Sequence, residues 1–218
     1  MSGVTSDMIK KLREMTGAGM MDCKSALNEA GGSIDKAIEV LRKKGLKDIE
    51  KRSGKTAAEG TLGVYVHPGD QVVSVVELNC ETDFVGRGEE FRALAKDLAM
   101  HVAAMKPRFL TVEEVPEQIL EKEKEILMEQ LTDEQKKKAD RILPGKIEKY
   151  LEGVVLMKQV FVKDETDSKT IKSLIDDMSM RCGEKVTIRR FSRLEVGEGV
   201  ERVASNIAAD VAAMVGDK

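Results

Sequence analysis

The chain has 218 residues, 41% of them apolar and 34% charged, with 36 basic and 39 acidic side chains and a formal net charge of −3. That balance describes a folded, helix-rich protein with solvated faces rather than a disordered chain. A negative net charge argues against nucleic acid as the main partner, and 3% aromatics with no Trp argue against a base-stacking platform.

In chain order, Val4, Met8, Ile9, Leu12 and Met15 fall on one helical face, with Ser6 or Asp7 as cap and Thr16-Gly17-Ala18-Gly19 as the stop. Charges at Asp7, Lys10, Lys11, Arg13 and Glu14 interrupt this segment, which is an amphipathic helix and not a signal-peptide core. A second helix is expected from Asp22 with Cys23, Ala26, Leu27 and Ala30 inward. A third runs from Ser33 with Ile34, Ala37, Ile38 and Leu41 inward and stops near Gly45. These three make a compact bundle over residues 1–45, near the lower size limit for independent folding. Residues 46–59 are read as a basic helical linker. The stretch from Arg42 to Lys55 holds Arg42, Lys43, Lys44, Lys47, Lys51, Arg52 and Lys55 against Asp48 and Glu50. It fits either a solvated spacer or a contact with an acidic surface.

The period then changes to two. Leu62, Val64 and Val66 alternate with Gly63, Tyr65 and His67, and after Pro68-Gly69-Asp70 comes a valine-rich run from Val72 to Cys80, giving a β-hairpin with one buried face. A helix follows over 89–104 with Phe91, Leu94, Ala95, Leu98, Val102 and Met105 inward, ending before Pro107. Thr111 with Glu114 and Thr132 with Gln135 have capping-box spacing, each announcing a helix. The charged stretch 117–152 carries a thin apolar stripe and is expected as a protruding antiparallel helical hairpin turning near Leu131, with Pro144 as a kink or boundary. A short strand is expected from Gln159 to Val162, a helix from Ser168 to Met180, a strand from Lys185 to Val196, and a closing helix over about 200–215. The fold class is α+β, with residues 60–218 as the core.

The chemistry of an enzyme is not legible. Gly54-Lys55-Thr56 resembles the end of a phosphate loop, but that loop needs a glycine where Ile49 stands. His67 and His101 have no Cys or Ser partner nearby in sequence, and Glu77, Glu81 and Asp83 read as surface charges. Cys23, Cys80 and Cys182 have no metal-ligand spacing, fit a reducing cytoplasm, and imply no metal or cofactor. No apolar run reaches the roughly 18 residues of a membrane span. Met20-Met21, beside glycines in a loop, suits a partner surface.

Four segments carry a resemblance. They are Thr16-Gly17-Ala18-Gly19-Met20-Met21-Asp22-Cys23-Lys24, then Leu78-Asn79-Cys80-Glu81-Thr82-Asp83-Phe84-Val85. The third is Asp97 to Ala104 with Lys106-Pro107-Arg108-Phe109, and the fourth is Phe191 to Glu201. In this order they resemble the translation elongation factor Ts family from about residue 4 to the C-terminus. The resemblance implies a ubiquitin-associated-like bundle, an α+β core with small antiparallel sheets, and a protruding helical hairpin. It implies guanine-nucleotide exchange on elongation factor Tu, with no bond chemistry, through a tip at Thr82, Asp83, Phe84 and Val85 that dislodges the partner's Mg²⁺. Phe84 would be the wedge and Asp83 would fix the approach. Read without the family, Thr82 better fits a cap on a short helix with Phe84 in the core. The resemblance further implies partner contacts at Arg13, Met20, Met21 and Lys24, at His67, and around Ala208 to Val215. Long family members carry two related core halves, whereas this chain has room for one, so a homodimer in a two-plus-two assembly is expected to supply the missing surface. A non-catalytic adaptor is the reading of a different class.

Overall fold

The computed structural model describes residues 4–166 and 168–200. Among them the order is α1 (Ser6–Thr16), α2 (Met20–Glu29), α3 (Ile34–Arg52), β1 (Glu59–Val66), β2 (Val72–Cys80), α4 (Asp83–Gly86), α5 (Glu89–Met105), α6 (Glu117–Glu129), α7 (Asp133–Lys136), α8 (Ala139–Val154), α9 (Ile171–Cys182) and β3 (Thr187–Glu195). The architecture is α+β, a helical N-terminal part followed by a small antiparallel sheet packed on helices. The closing helix expected over about 200–215, and with it the contact around Ala208 to Val215, lies outside the described residues beyond Val200.

Thr5, rather than Ser6 or Asp7, caps α1, its hydroxyl accepting from the Met8 amide at 3.3 Å. Gly17 closes α1 with a φ of 68°, a left-handed conformation that glycine adopts without a Cβ penalty. Leu12, Cys23, Ala26, Leu27 and Ala37 form the bundle core, with Val4, Met8, Ile9, Ile34, Ile38 and Leu41 packed around it. Met15, expected on the inner face, is instead exposed. The third helix does not stop at Gly45 but runs on to Arg52. Gly45 serves a close approach there: a Cβ at this position would press on the Met180 side chain of α9. The stretch expected as a linker is therefore helical over its first half, continuous with the bundle's last helix.

The sheet has the order β1-β2-β3, antiparallel throughout. Its inner face meets α5 and α9 in one core that includes Val76, Leu78, Phe91, Leu98, Ile175 and Ile188. The hairpin's apolar alternation is inverted relative to what hydrophobicity alone suggests. Gly63 and Tyr65 face α5, while Leu62, Val64 and Val66 lie open, Leu62 at 62% exposure. The reason is closeness: a Cβ on Gly63 would strike the Ala95 carbonyl, so α5 lies directly on the β1 backbone. Ser74 on β2 adds a buried hydrogen bond, its hydroxyl donating to the Ala99 carbonyl at 2.5 Å.

Helices α6 and α8 contact each other over the expected hairpin, with α6 contributing no buried residue and Val115, Leu151 and Val155 closing its base. The Thr132–Gln135 capping box is formed and opens α7. The Thr111–Glu114 spacing gives only a 3₁₀ turn at Val112–Glu114, because the Glu114 carboxylate accepts from the Leu110 amide at 2.9 Å instead of capping Thr111. Pro144 neither bounds nor breaks α8.

Residues Gln159 to Val162 are not a strand; only an isolated bridge joins Val160 to Thr170. The run serves a buried polar knot instead. The Val162 amide donates to His101 Nδ1 at 3.1 Å, which places the ring proton on Nε2, where it donates to Gln159 Oε1 at 3.0 Å. Gln159 Nε2 donates to the Gly153 carbonyl at 2.8 Å. His101 thus occupies the inward position on α5, and Met105, expected inward, is exposed just before Lys106 turns the chain with a φ of 50°. Burial pushes the His101 imidazole below its ordinary value of 6.5. Below that value the unfolded chain takes up a proton that the native ring refuses, so this group's stabilisation is present at neutral pH and is lost as pH falls toward the native pKa. Urea unfolding at about pH 7.5 and about pH 5.5 is expected to show a loss on acidification of up to roughly 1.4 kcal/mol per pH unit from this group. The loss is expected to shrink in His101→Gln; an unchanged loss would remove His101 from the explanation.

Candidate partner-binding site

Strand β2 ends at Cys80, and the chain turns immediately into the single-turn helix α4. Thr82 caps that turn, its Oγ1 accepting from the Val85 amide at 3.4 Å. The cap expected of Thr82 on local grounds is therefore present, but the other half of that reading is not: Phe84 is 86% exposed rather than in the core. Val85 turns inward and packs against the main core, and Gly86 is buried against the backbone of Gly60, where a Cβ would crowd the Gly60 carbonyl. The four tip residues thus divide. Thr82 and Val85 anchor the turn, while Asp83 and Phe84 project. Asp83 pairs with Arg87 at 3.1 Å in solvent, an interaction weak enough to exchange for another partner.

The base of the tip is tied down by residues distant in sequence. Glu184, between α9 and β3, accepts from the Glu81 and Thr82 amides at 3.0 Å each and from Thr82 Oγ1 at 2.6 Å. Glu81 accepts from the Lys185 amide at 2.7 Å and from Lys55 Nζ at 2.7 Å, and these two partners hold its carboxyl below the usual range, Lys55 most strongly. The Cys80 thiol donates to the Thr82 carbonyl at 3.1 Å, and burial together with the nearby Glu184 charge pushes it up to about 11, so it stays protonated. No local pattern in the sequence announces Glu184 or Lys185 as neighbours of the tip, and Glu81, read as a surface charge, is part of its support.

Arg13, Met20, Met21 and Lys24 are all on the surface of the bundle, Met21 at 75% exposure, and Met15 adds an exposed apolar side chain where periodicity predicts an inward one. Gly17, between Arg13 and Met20, lies against Arg181 of α9, and Arg181 pairs at 3.5 Å with Glu90 in the first turn of α5. The turn between α1 and α2 is therefore on the tip's side of the molecule. His67 is not. Glu59 pairs with Cys80 at the tip end of the hairpin and Val66 with Val73 at the other, which separates His67 from the tip by about 26 Å of strand. There His67 Nδ1 lies 3.2 Å from Tyr65 Oη, and the pair lines a groove with Lys106, Arg193 and Glu195. Lys106 and then Arg193 draw the Glu195 carboxyl down to about 2. Among the described residues no helix is long and apolar enough to cross a membrane, and no three His, Cys, Asp or Glu side chains gather as metal ligands.

The described residues thus form a helical bundle joined to an α+β core, with Phe84 exposed on a turn hydrogen-bonded to Glu184. The family model described as elongation factor TS matches residues 4–198. Elongation factor Ts of Desulforamulus reducens is 49% identical over 99% of both chains, that of Myxococcus xanthus 49% over 99% of both, and that of Thermotoga petrophila 48% over 91% of this chain and 98% of its own. The chain belongs to the elongation factor Ts family.

Proposed function

We propose that this chain is a guanine-nucleotide exchange factor for elongation factor Tu, working in protein synthesis in the cytoplasm, and that it acts by displacing Mg²⁺ from the GTPase with the Thr82–Val85 tip. Family membership supports the partner, and the exposure of Phe84 on a braced turn is the observation that carries the mechanism. The exchange of GDP for GTP breaks and makes no covalent bond in this chain. Binding that favours the nucleotide-free GTPase weakens nucleotide binding by the same factor, because the coupling free energy is reciprocal. Phe84 wedges between elements of the GTPase domain, Asp83 trades its Arg87 pair for a partner group, and Thr82 with Val85 keeps the turn from yielding. Elements so displaced no longer hold Mg²⁺, and the phosphates lose their largest counter-charge. Residues 1–45 act as a bundle contacting the GTPase domain through Arg13, Met20, Met21 and Lys24, residues 46–59 connect it to the core, and His67 in the 60–218 core meets a more distal partner domain. Release of labelled GDP from elongation factor Tu tests this: acceleration by substoichiometric chain is expected, and binding without acceleration would favour an adaptor.

The working unit we propose is a homodimer, two chains with two partners. Leu62, Val64 and Val66 on β1, Val73 and Val75 on β2, and Leu194 on β3 are cross-strand neighbours on the sheet's open face. A contiguous apolar face of this kind is an interaction surface, and a second copy would cover it by two-fold symmetry. Light scattering at micromolar concentration is expected to give twice the chain mass for the wild type and the single-chain mass for Val64→Glu. A wild-type monomer with full exchange activity would rule the dimer out.

A further inference from the structure

The β2–β3 ladder ends at Asn79↔Thr187 and the β1–β2 ladder at Glu59↔Cys80, so the amides of Glu81 and Thr82 have no strand partner. Glu184 takes the place of one: a single carboxylate accepts both amides and the Thr82 hydroxyl. The exchange is mutual, since Glu81 accepts the amide of Lys185, the residue after Glu184. The same knot reaches the bundle's last helix. Lys185 Nζ donates to the carbonyls of Ser53 at 2.6 Å and Lys55 at 2.9 Å, just past the end of α3, and Lys55 Nζ pairs with Glu81. We infer that Glu184 is a positioning residue for the tip, fixing the direction in which Phe84 projects and, through its neighbour Lys185, tying that direction to α3.

Hydrogen bonds to an ionised acceptor are shorter and about twice as strong as neutral ones, and here three converge on the residues that open α4. Thr82 Oγ1 donates to Glu184 while accepting from Val85, so its one hydroxyl joins the brace to the cap. Without the carboxylate, two amides would turn to water and the hydroxyl would rotate freely, loosening the turn while leaving the Val85 anchor in the core. A wedge that must enter a partner at one angle is sensitive to such loosening: a displacement of about 1 Å at a positioned group costs on the order of 10²-fold in rate. Binding spread over the bundle face and His67 is not. The signature is a fall in the maximal rate of nucleotide release with little change in the concentration giving half that rate.

The inference rests on the exchange reading, so one readout is independent of it. The experiment compares wild type, Glu184→Gln and Glu184→Ala in the full chain. The first readout is hydrogen exchange at the Glu81 and Thr82 amides of the free protein. The second is the kinetics of labelled GDP release from elongation factor Tu. Protected amides are expected in wild type and in the Gln variant, whose carboxamide oxygen accepts both amides and whose NH₂ donates to Thr82 Oγ1. Loss of protection at these two amides is expected in the Ala variant, together with a maximal release rate lower by roughly tenfold and a half-saturating concentration near that of wild type. The Gln variant is expected to recover most of the rate. Protected amides in the Ala variant, an unchanged maximal rate, or a Gln variant as impaired as Ala would overturn the inference. If Ala unfolds, the Gln variant and Glu184→Asp, whose shorter side chain withdraws from the amides, decide it: Asp is expected to lose rate and amide protection, and an Asp variant matching wild type overturns it. A wild type that leaves GDP release unaccelerated sinks the exchange reading alone, and the amide measurement still decides the brace.

Discussion

Phe84→Ala is expected to slow catalysed GDP release from elongation factor Tu by roughly 30- to 100-fold while leaving the free protein as stable as wild type. The magnitude follows from the side chain's position. Phe84 is almost fully exposed in the free chain, so no folding energy depends on it, and a surface truncation of this kind changes stability by about 0.5 kcal/mol or less. On a partner the same ring is removed from water, a contribution of about 2–3 kcal/mol for a fully buried phenylalanine. Each 1.4 kcal/mol is about tenfold in rate when it is realised on the path to release. Circular dichroism melts and stopped-flow release of a fluorescent GDP on the same preparation separate the two quantities. Wild-type release rates in a folded Phe84→Ala protein would remove the wedge from the mechanism. Loss of the melting transition would place Phe84 in the core, against its exposure.

Gly63→Ala is expected to destabilise the core by about 3 kcal/mol, the upper range of overpacking penalties. The new Cβ would meet backbone on α5, the Ala95 carbonyl and the Lys96 amide, which cannot rotate out of the way as a side chain can. Helix and strand would have to separate, opening the contact through which Phe91, Ala95 and Leu98 cover the sheet. Gly145→Ala is the matching control. It lies inside α8 with nothing near its added Cβ, and replacing a helical glycine there is expected to gain about 0.5–1 kcal/mol. Thermal and urea unfolding of the two variants beside wild type tests the contrast. Equal stabilities would mean that α5 does not lie on β1 as closely as described.

Gly63 and Gly45 also mark the limit of what sequence alone tells. Periodicity predicts the hairpin, the α5 helix and the bundle, because each depends on spacing within a few residues. It fails where a distant element sets the outcome. Leu62, Val64 and Val66 look like a buried face, yet they lie outward because α5 needs the glycine side of β1. Gly45 reads as a helix stop, yet it is a contact with α9, so α3 runs seven residues further, to Arg52. The apolar run at 159–162 reads as a strand, yet Gln159 is drawn into the His101 knot. In the site, the sequence marks the tip and the resemblance supplies its meaning. The turn that holds it depends on Glu184, 102 residues from Thr82, and no local pattern connects them. Local reasoning about Thr82 correctly predicts a capped turn and misplaces Phe84, since a cap does not say which way the next side chain points.

In the proposed mechanism the tip loosens the partner's grip on Mg²⁺. The most direct measurement is catalysed release of labelled GDP from elongation factor Tu by wild type and Phe84→Ala, in saturating Mg²⁺ and again with Mg²⁺ chelated. A large advantage of wild type is expected in Mg²⁺, narrowing toward equality in chelator, where the ion has already been removed. An advantage of the same size in both conditions would contradict this mechanism.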